Sequence, residues 1–182
     1  MSKIFFIADT HFGHENIIKY CDRPFRDVHE MNKILIENWN RKVRNEDKVF
    51  VLGDFMLGSA LIIQHIVSNL RGNKVLILGN HDRHKSKAYL DAGFKEVYKH
   101  PILWNDRFLL SHEPKVHLDL GSIYNIYGHI HNHEVFDINK KGTCVSVEQI
   151  NYEPISYEEI LKKIQRYNDE GSKNGCNKNT DS

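Results

Sequence analysis

Short apolar runs alternate with polar clusters along the first half of the chain. The runs KIFFIA, KVFVLG and KVLILG begin at residues 3, 48 and 74, and each has the continuous apolar character of a strand buried on both faces. Apolar side chains recur at helical spacing over residues 28 to 39, and LGSALIIQHIVSNL has the length and composition of a helix. This order of strand, helix, strand and helix predicts βαβ crossovers and a largely parallel sheet.

The second half of the chain has a different pattern. A short helix is predicted around residues 84 to 92, and only turns separate the apolar runs that follow it. Those runs are FKEVY, PILW, RFLLSH, SIYNIYGH, HEVFDI and TCVSV. This half is therefore predicted to consist mainly of strands.

Two helix starts carry capping signals. Asp27 is followed three residues later by Glu30, and Ser156 is followed in the same way by Glu159, as in a capping box. From Gly171 onward the segment GSKNGCNKNTDS has no apolar periodicity, so we expect a disordered tail. Residues 1 to 170 are accordingly predicted to form a single domain and residues 171 to 182 its C-terminal tail.

Composition and charge narrow the class of protein. The 182 residues, with 40% apolar and 27% charged residues, fit one globular domain, and the formal charge of +1 offers no basic field for duplex nucleic acid. Three scattered cysteines form no CxxC pair, which favours a reducing compartment. The apolar run at the N-terminus is too short for a signal peptide or a membrane span. We therefore expect a cytoplasmic protein that does not enter a membrane.

Polar clusters stand at the carboxyl ends of the predicted strands, where open α/β sheets place their ligands. They supply carboxylate, imidazole and amide groups: Asp9, His11, Asp54, Asn80, His81, Asp82, His112, His129 and His131. Singly, such residues also serve as caps, turns or buried polar groups. Five clusters of one chemical kind, each at a strand end, are better explained by a shared site.

The ligand types of these clusters point to divalent cations. Carboxylate, imidazole and amide oxygen without thiolate suit manganese, iron or zinc, and exclude a cysteine-rich structural zinc site. The set is too large for one tetrahedral ion, and a carboxylate such as Asp54 can bridge a pair. The sequence therefore favours two ions over one.

The order of the motifs resembles the calcineurin-like metallophosphoesterase superfamily. The motifs are DxH from Asp9, GD at residues 53–54, GNHD at residues 79–82, a separate His112 and GHxH at residues 128–131. The match runs from residue 4 to about residue 150 and is similar to small bacterial and phage members with DxHFGHxNII. The resemblance implies an α/β/β/α sandwich with two mixed sheets.

The resemblance also implies a role for each motif residue. One cation would be held by Asp9, His11, Asp54 and His131, and the second by Asp54, Asn80, His112 and His129. The ions, manganese or alternatively iron, zinc, nickel or cobalt, would convert the water between them into hydroxide for attack on phosphorus. His81 would face the phosphate as a catalytic residue, with Asp82 fixing its ring.

Residues outside the metal motifs are open to two interpretations. His14 and Asn16 either touch the substrate phosphate or start a helix, and Arg23 and Arg26 either clamp phosphate or lie in a solvated loop. We include His14, Arg23 and Arg26 among the expected substrate-binding residues. His133 lies outside the signature and is expected at the surface or behind the ligands.

Three functions remain in competition at this point. The first is a metal-dependent hydrolase of phosphodiester or phosphomonoester bonds in nucleotides or similar small esters. The second is a nuclease on single-stranded nucleic acid, which could use a basic strip of Arg23, Arg26, Arg41, Lys42 and Arg44. The third is a binding module on the same scaffold without activity. Signatures of zinc proteases, phosphate-binding P-loops and serine hydrolases are absent from the sequence.

Overall fold

The computed structural model describes residues 1–115, 120–133 and 142–176. Its elements in chain order are β1 (Ile4–Ile7), α1 (Asn16–Tyr20), α2 (Val28–Lys42), β2 (Lys48–Leu52), α3 (Ala60–Asn69), β3 (Asn73–Ile77), α4 (Ser86–Ala92), β4 (Glu96–Tyr98), β5 (Ile102–Trp104), β6 (Phe108–Leu110), β7 (Tyr124–Tyr127), β8 (Gly142–Cys144), a 3₁₀ helix (Val147–Ile150), β9 (Ile155–Ser156) and α5 (Tyr157–Cys176).

The first sheet has the strand order β4-β3-β2-β1-β9. Strands β1 to β4 are parallel, with Phe5 opposite Val49 and Val49 opposite Lys74, and β9 pairs antiparallel with β1. The central strands are buried along almost their whole length, as their continuous apolar runs predict.

The second sheet has the strand order β5-β6-β7-β8. Here β5 and β6 are antiparallel, whereas β6, β7 and β8 run parallel. Both sheets are therefore mixed, which confirms the expected α/β fold with two mixed sheets. The predicted strand HEVFDI falls almost wholly outside the described residues.

Aromatic side chains join the two sheets into one core. The ring of Trp104 in β5 lies 5.6 Å from that of Phe6 in β1 and 5.6 Å from that of Phe50 in β2. Phe108 in β6 and Tyr157 at the start of α5 complete the contact, with ring centroids 5.5 Å apart. Burial of such large apolar surfaces is the main favourable contribution to folding.

The predicted helix caps are present. Ser156 and Glu159 form a full capping box, because the Glu159 amide donates to Ser156 Oγ (3.2 Å) and the Ser156 amide donates to the Glu159 carboxylate (2.8 Å). At α2, Asp27 accepts from the Glu30 amide (2.9 Å), but the Glu30 carboxylate accepts from the amide of Arg26.

The C-terminal helix is longer than expected. α5 continues to Cys176, whereas the tail was predicted to begin at Gly171. Once a helix has formed, each added residue gains a backbone hydrogen bond, and the segment contains no proline that would end it. Within the described part of the chain, no helix has both the length and the apolar character that a membrane span requires.

Candidate metal centre

The polar motifs meet where the two sheets join at the carboxyl ends of their strands. The Asp9 amide donates to Gly53 O (3.0 Å), which ties the end of β1 to the end of β2, and the Gly128 amide donates to His112 O (2.8 Å). Ala8 forms a parallel bridge with Ser146 and so connects the first sheet to the segment after β8. The motifs are therefore held together by main-chain hydrogen bonds as well as by their side chains.

Five of the predicted ligands have left-handed backbone conformations. Their φ angles are 58° for Asp9, 49° for His11, 52° for Asp54, 74° for His129 and 51° for His131. Such angles are uncommon for residues with a side chain and persist where the surrounding structure enforces them. Half of the ten non-glycine residues with positive φ angles are therefore candidate ligands of this site.

Two glycines allow the loops to approach this closely. A Cβ atom on Gly79 would lie 2.2 Å from Asp54 Oδ1, and one on Gly128 would lie 2.5 Å from Asp9 Oδ2. Neither position can hold a larger residue without moving a carboxylate of the site.

Asp9, His11 and His131 form the first cluster. One potential ligand atom from each lies within 4.8 Å of the others, and Asp9 and His11 are almost completely buried. Among the described residues, Asp9 Oδ1 and His11 Nε2 find no hydrogen-bond partner. Buried polar atoms are rarely left unsatisfied, so a cation is the natural partner for both.

Burial and neighbouring charges shift the pKa values of the first cluster. Burial raises the pKa of Asp9 to about 7 and lowers the pKa of His11 to about 2. Burial opposes ionisation of His131, but hydrogen bonds with Cys21 and Glu148, together with nearby carboxylates, raise its pKa to about 10. The first cluster therefore holds protons near neutral pH that a divalent cation would displace.

Asn80, His112 and His129 form the second cluster. Asn80 Oδ1 lies 2.9 Å from His112 Nε2 and 3.1 Å from His129 Nδ1, and the two ring nitrogens are 3.1 Å apart. His112 Nδ1 is 2.9 Å from Leu52 O, which can only accept, so this nitrogen carries the ring proton. Burial lowers the pKa of His112, and its Nε2 therefore faces Asn80 Oδ1 as one acceptor facing another. A cation between them removes this repulsion.

Asp54 lies between the two clusters. Its Oδ2 is 3.5 Å from His11 Nε2 in the first cluster, and its Oδ1 is 3.6 Å from His112 Nε2 in the second. In addition, one potential ligand atom from each of Asp9, Asp54 and His112 lies within 4.8 Å of the other two, so these residues could share an ion. One oxygen of Asp54 thus points to each cluster, which is the geometry of a bridging carboxylate.

A third group with suitable spacing is a poor cation site. Cys21, His131 and Glu148 offer ligand atoms within 4.8 Å of one another. However, Glu148 Oε1 already accepts from Arg23 Nη2 at 2.8 Å, so a guanidinium supplies the positive charge there. A metal ion next to this arginine would be repelled.

His81 and His14 border the first cluster without belonging to it. The ring of His81 lies 5.5 Å from that of His11, and the ring of His14 lies 5.5 Å from His11 and 6.4 Å from His81. The His81 amide donates to Asp54 Oδ1 (2.8 Å), which fixes the loop that carries the ring. Both residues are partly exposed, although His14 Nδ1 is buried and finds no hydrogen-bond partner among the described residues.

Comparison with known proteins identifies the family. The family model described as calcineurin-like phosphoesterase matches residues 2–175. The chain belongs to the calcineurin-like phosphoesterase family. This family consists of metal-dependent phosphoesterases, and the buried aspartate and histidine clusters of this chain are consistent with the two-metal site that is typical of its members.

Similar proteins occur in an archaeon and in phages. The uncharacterized protein MJ1445 of Methanocaldococcus jannaschii is 43% identical over 175 residues, which cover 91% of this chain and 93% of that protein. The gene 66 protein of Mycobacterium phage D29 is 39% identical over 97 residues, or 50% of this chain and 46% of the phage protein. A crystal structure of the Aquifex aeolicus protein of unknown function AQ665 has a TM-score of 0.71 and 28% identity. The structural match covers 89% of this chain and 99% of the AQ665 chain.

Asp82 differs from the expectation that it would fix the His81 ring. Its Oδ2 accepts from the amides of Asp54 (2.8 Å) and Gly79 (2.9 Å), and its Oδ1 accepts from the Phe55 amide (3.0 Å) and from the Tyr89 hydroxyl (3.3 Å). The three amide donors lie on the loops that carry the candidate ligands, and Tyr89 lies in α4. Asp82 therefore fixes the backbone around Asp54.

Arg23 and Arg26 also differ from the expected phosphate clamp. The Arg23 side chain is 0% exposed and its donors are taken by the carbonyls of Asp9 and Thr10 and by Glu148. Arg26 is 79% exposed and bonds to the neighbouring Asp27 at 3.0 Å. Sequence could not distinguish these outcomes, because burial of Arg23 depends on a partner that is distant in the chain.

The basic strip expected for nucleic acid is largely neutralised. Arg41 and Lys42 pair with Glu153, and Lys42 also lies 3.3 Å from Glu159. With Arg23 buried, Arg44 is the one member of the strip for which the described residues show no ion pair. His133 is exposed and Asn16 begins α1, so neither lies among the converging ligands.

Ser146 and Glu148 are residues of the site that sequence reasoning missed. Ser146 Oγ donates to Asp9 Oδ2 (2.6 Å), and His131 Nδ1 lies 3.0 Å from Glu148 Oε1. Both follow β8, and neither belongs to a metal motif. The sequence signalled them only weakly, because Ser146 is a polar residue within the apolar run TCVSV and Glu148 directly follows that run.

Proposed function

We propose that this protein hydrolyses phosphodiester or phosphomonoester bonds of nucleotides or similar small esters, using two divalent cations. The observation that carries this proposal is the position of Asp54, with one oxygen directed to each of two ligand clusters. Asp9, His11, Asp54 and His131 would hold one ion, and Asp54, Asn80, His112 and His129 the other. Manganese is the proposed metal, with iron, zinc, nickel and cobalt as alternatives.

The cations, when bound, supply electrostatic activation of the phosphorus and of a water nucleophile at neutral pH. The chain itself sets the geometry of this reaction. Strained loops and the buried Asp82 carboxylate hold the ligand side chains in place before substrate arrives. Such a preorganised site needs little rearrangement as charge develops in the transition state.

His81 is the proposed catalytic residue among the groups that are not ligands. Its ring lies next to that of His11 and its backbone is fixed to Asp54. From this position it would donate a proton to the leaving oxygen or stabilise charge on the phosphate. His14, whose ring lies 6.4 Å from that of His81, is the proposed substrate-binding residue.

Small substrates are favoured over long nucleic acids. Arg23, Arg41 and Lys42 are paired with carboxylates, so they offer little free positive charge to a phosphate backbone. The nuclease alternative predicts hydrolysis of single-stranded oligonucleotides that weakens steeply with salt. Hydrolysis of small esters should instead depend weakly on salt.

A hydrolysis screen tests this function. The metal-free protein would be loaded with Mn²⁺, Fe²⁺, Zn²⁺, Ni²⁺ or Co²⁺ and incubated with bis(p-nitrophenyl) phosphate, p-nitrophenyl phosphate and 2′,3′-cyclic nucleotides. We expect metal-dependent turnover that EDTA abolishes. Two bound metal ions without hydrolysis of any ester would contradict the proposal and favour a binding module that has lost its activity.

A further inference from the structure

A buried ion pair behind the first cluster connects its two sides. Arg23 and Glu148 are 125 residues apart in sequence, and their side chains are 0% and 5% exposed. Arg23 Nε and Nη2 donate to Glu148 Oε1 at 2.9 and 2.8 Å. A buried pair of this kind is costly to form unless its remaining donors and acceptors are satisfied.

The remaining donors of Arg23 reach the loop of the first motif. Nη2 donates to Asp9 O (2.7 Å) and Nη1 donates to Thr10 O (3.0 Å). These carbonyls belong to the segment in which Asp9 and His11 have left-handed backbone angles. The guanidinium therefore holds the strained backbone of the DxH motif from behind.

The same carboxylate oxygen of Glu148 reaches the other side of the cluster. His131 Nδ1 lies 3.0 Å from Glu148 Oε1, and Gln149 Nε2 donates to His131 O (2.9 Å). A hydrogen bond from Nδ1 fixes the ring orientation and leaves Nε2 as the nitrogen that can act as a ligand. A carboxylate behind a metal-binding histidine also makes the imidazole a better electron donor.

We propose that Glu148, anchored by Arg23, is the positioning residue of the first cluster and selectively strengthens metal binding there through His131. Within the described ranges the second cluster shows no such side-chain connection, because His112 is oriented by the main-chain carbonyl of Leu52. Loss of the Glu148 carboxylate should therefore weaken one metal site and spare the other. This inference rests on the proposed two-metal function.

Metal titration of two variants tests the inference. Free Mn²⁺ would be followed by electron paramagnetic resonance in the wild type, Glu148→Gln and Glu148→Ala. We expect the affinity of one site to fall about 10-fold in Glu148→Gln and up to about 100-fold in Glu148→Ala, with the other site unchanged. Glu153→Gln, which alters a carboxylate that pairs with Arg41 at the surface, is the matched control and should bind both ions normally.

Folding is monitored separately because removal of Glu148 leaves Arg23 buried without a counter-charge. If Glu148→Ala does not fold, the metal affinity of Glu148→Gln tests the inference. This variant should fold, since its amide oxygen can still accept from Arg23 and His131. Equal loss of both sites in a folded variant, or unchanged affinity at both, would overturn the inference. Absence of metal binding by the wild type would instead refute the proposed function.

Discussion

The two ligand clusters differ in how they are enclosed. Asp9 and His11 in the first cluster are almost fully buried, and a network of side chains beyond the motifs supports them. In the second cluster Asn80 and His129 are exposed, and only His112 is buried. The first cluster is therefore enclosed by protein, whereas the second is open to solvent.

The largest effect should come from the residue that the two clusters share. Replacement of Asp54 by alanine removes a ligand from both sites, so we expect metal content to fall from two ions per chain to none. Hydrolysis should fall to the uncatalysed level. Inductively coupled plasma mass spectrometry measures the first result, and retention of both ions would show that Asp54 is not the bridge.

His81→Ala should separate catalysis from metal binding. Because the His81 ring borders the clusters without joining them, both ions should remain while kcat falls by about 10² to 10⁴. Steady-state kinetics together with metal analysis checks this outcome. Loss of either ion from the folded variant would place His81 among the ligands.

Affinity at the two clusters should respond differently to pH. Burial raises the pKa of Asp9 to about 7, and the pKa of His131 is about 10, so a cation entering the first cluster displaces protons. Its affinity should rise by about tenfold or more per pH unit between pH 6 and 8. Burial lowers the pKa of His112, so a cation that binds its free Nε2 displaces no proton from this ring.

The second cluster should therefore show a weaker pH dependence over the same range. Isothermal titration calorimetry in buffers of different ionisation enthalpy measures both the affinity and the protons released at each site. Equal pH dependence at the two sites would show that the proton held by Asp9 does not distinguish the first cluster from the second.

The smallest effect is expected for Arg26→Ala. This side chain is 79% exposed and bonds to Asp27 at the start of α2, away from both clusters. Surface changes of this kind alter the free energy of unfolding by less than about 0.5 kcal/mol. Because the side chain contacts neither cluster, kcat/KM for a small diester should stay essentially unchanged. A tenfold loss would restore Arg26 as a phosphate-binding residue.

The convergence of these aspartate, asparagine and histidine residues was predictable from sequence, because most of them belong to short motifs at the end of an apolar run. Asp54 and Asn80, for example, directly follow strands whose buried character is evident from KVFVLG and KVLILG. The order of strands along the chain then brings them to one edge. The parallel arrangement of these strands was also predictable, because strands and helices alternate along the first half of the chain.

The supporting residues could not be predicted in this way. Arg23 looked like a phosphate ligand because its partner Glu148 is far away in the sequence. Asp82 stands next to His81 in the chain, yet its carboxylate turns to the amides of Asp54 and Gly79. Such long-range pairings depend on tertiary packing, and local sequence patterns carry little information about them.

The proposed centre holds one ion in each cluster, with Asp54 as a ligand of both. A crystal soaked in Mn²⁺ and measured at the manganese absorption edge tests this arrangement directly through anomalous scattering. We expect two anomalous peaks about 3.5 to 4 Å apart, one against Asp9, His11 and His131 and the other against Asn80, His112 and His129. A single peak, or peaks that do not touch Asp54, would contradict it.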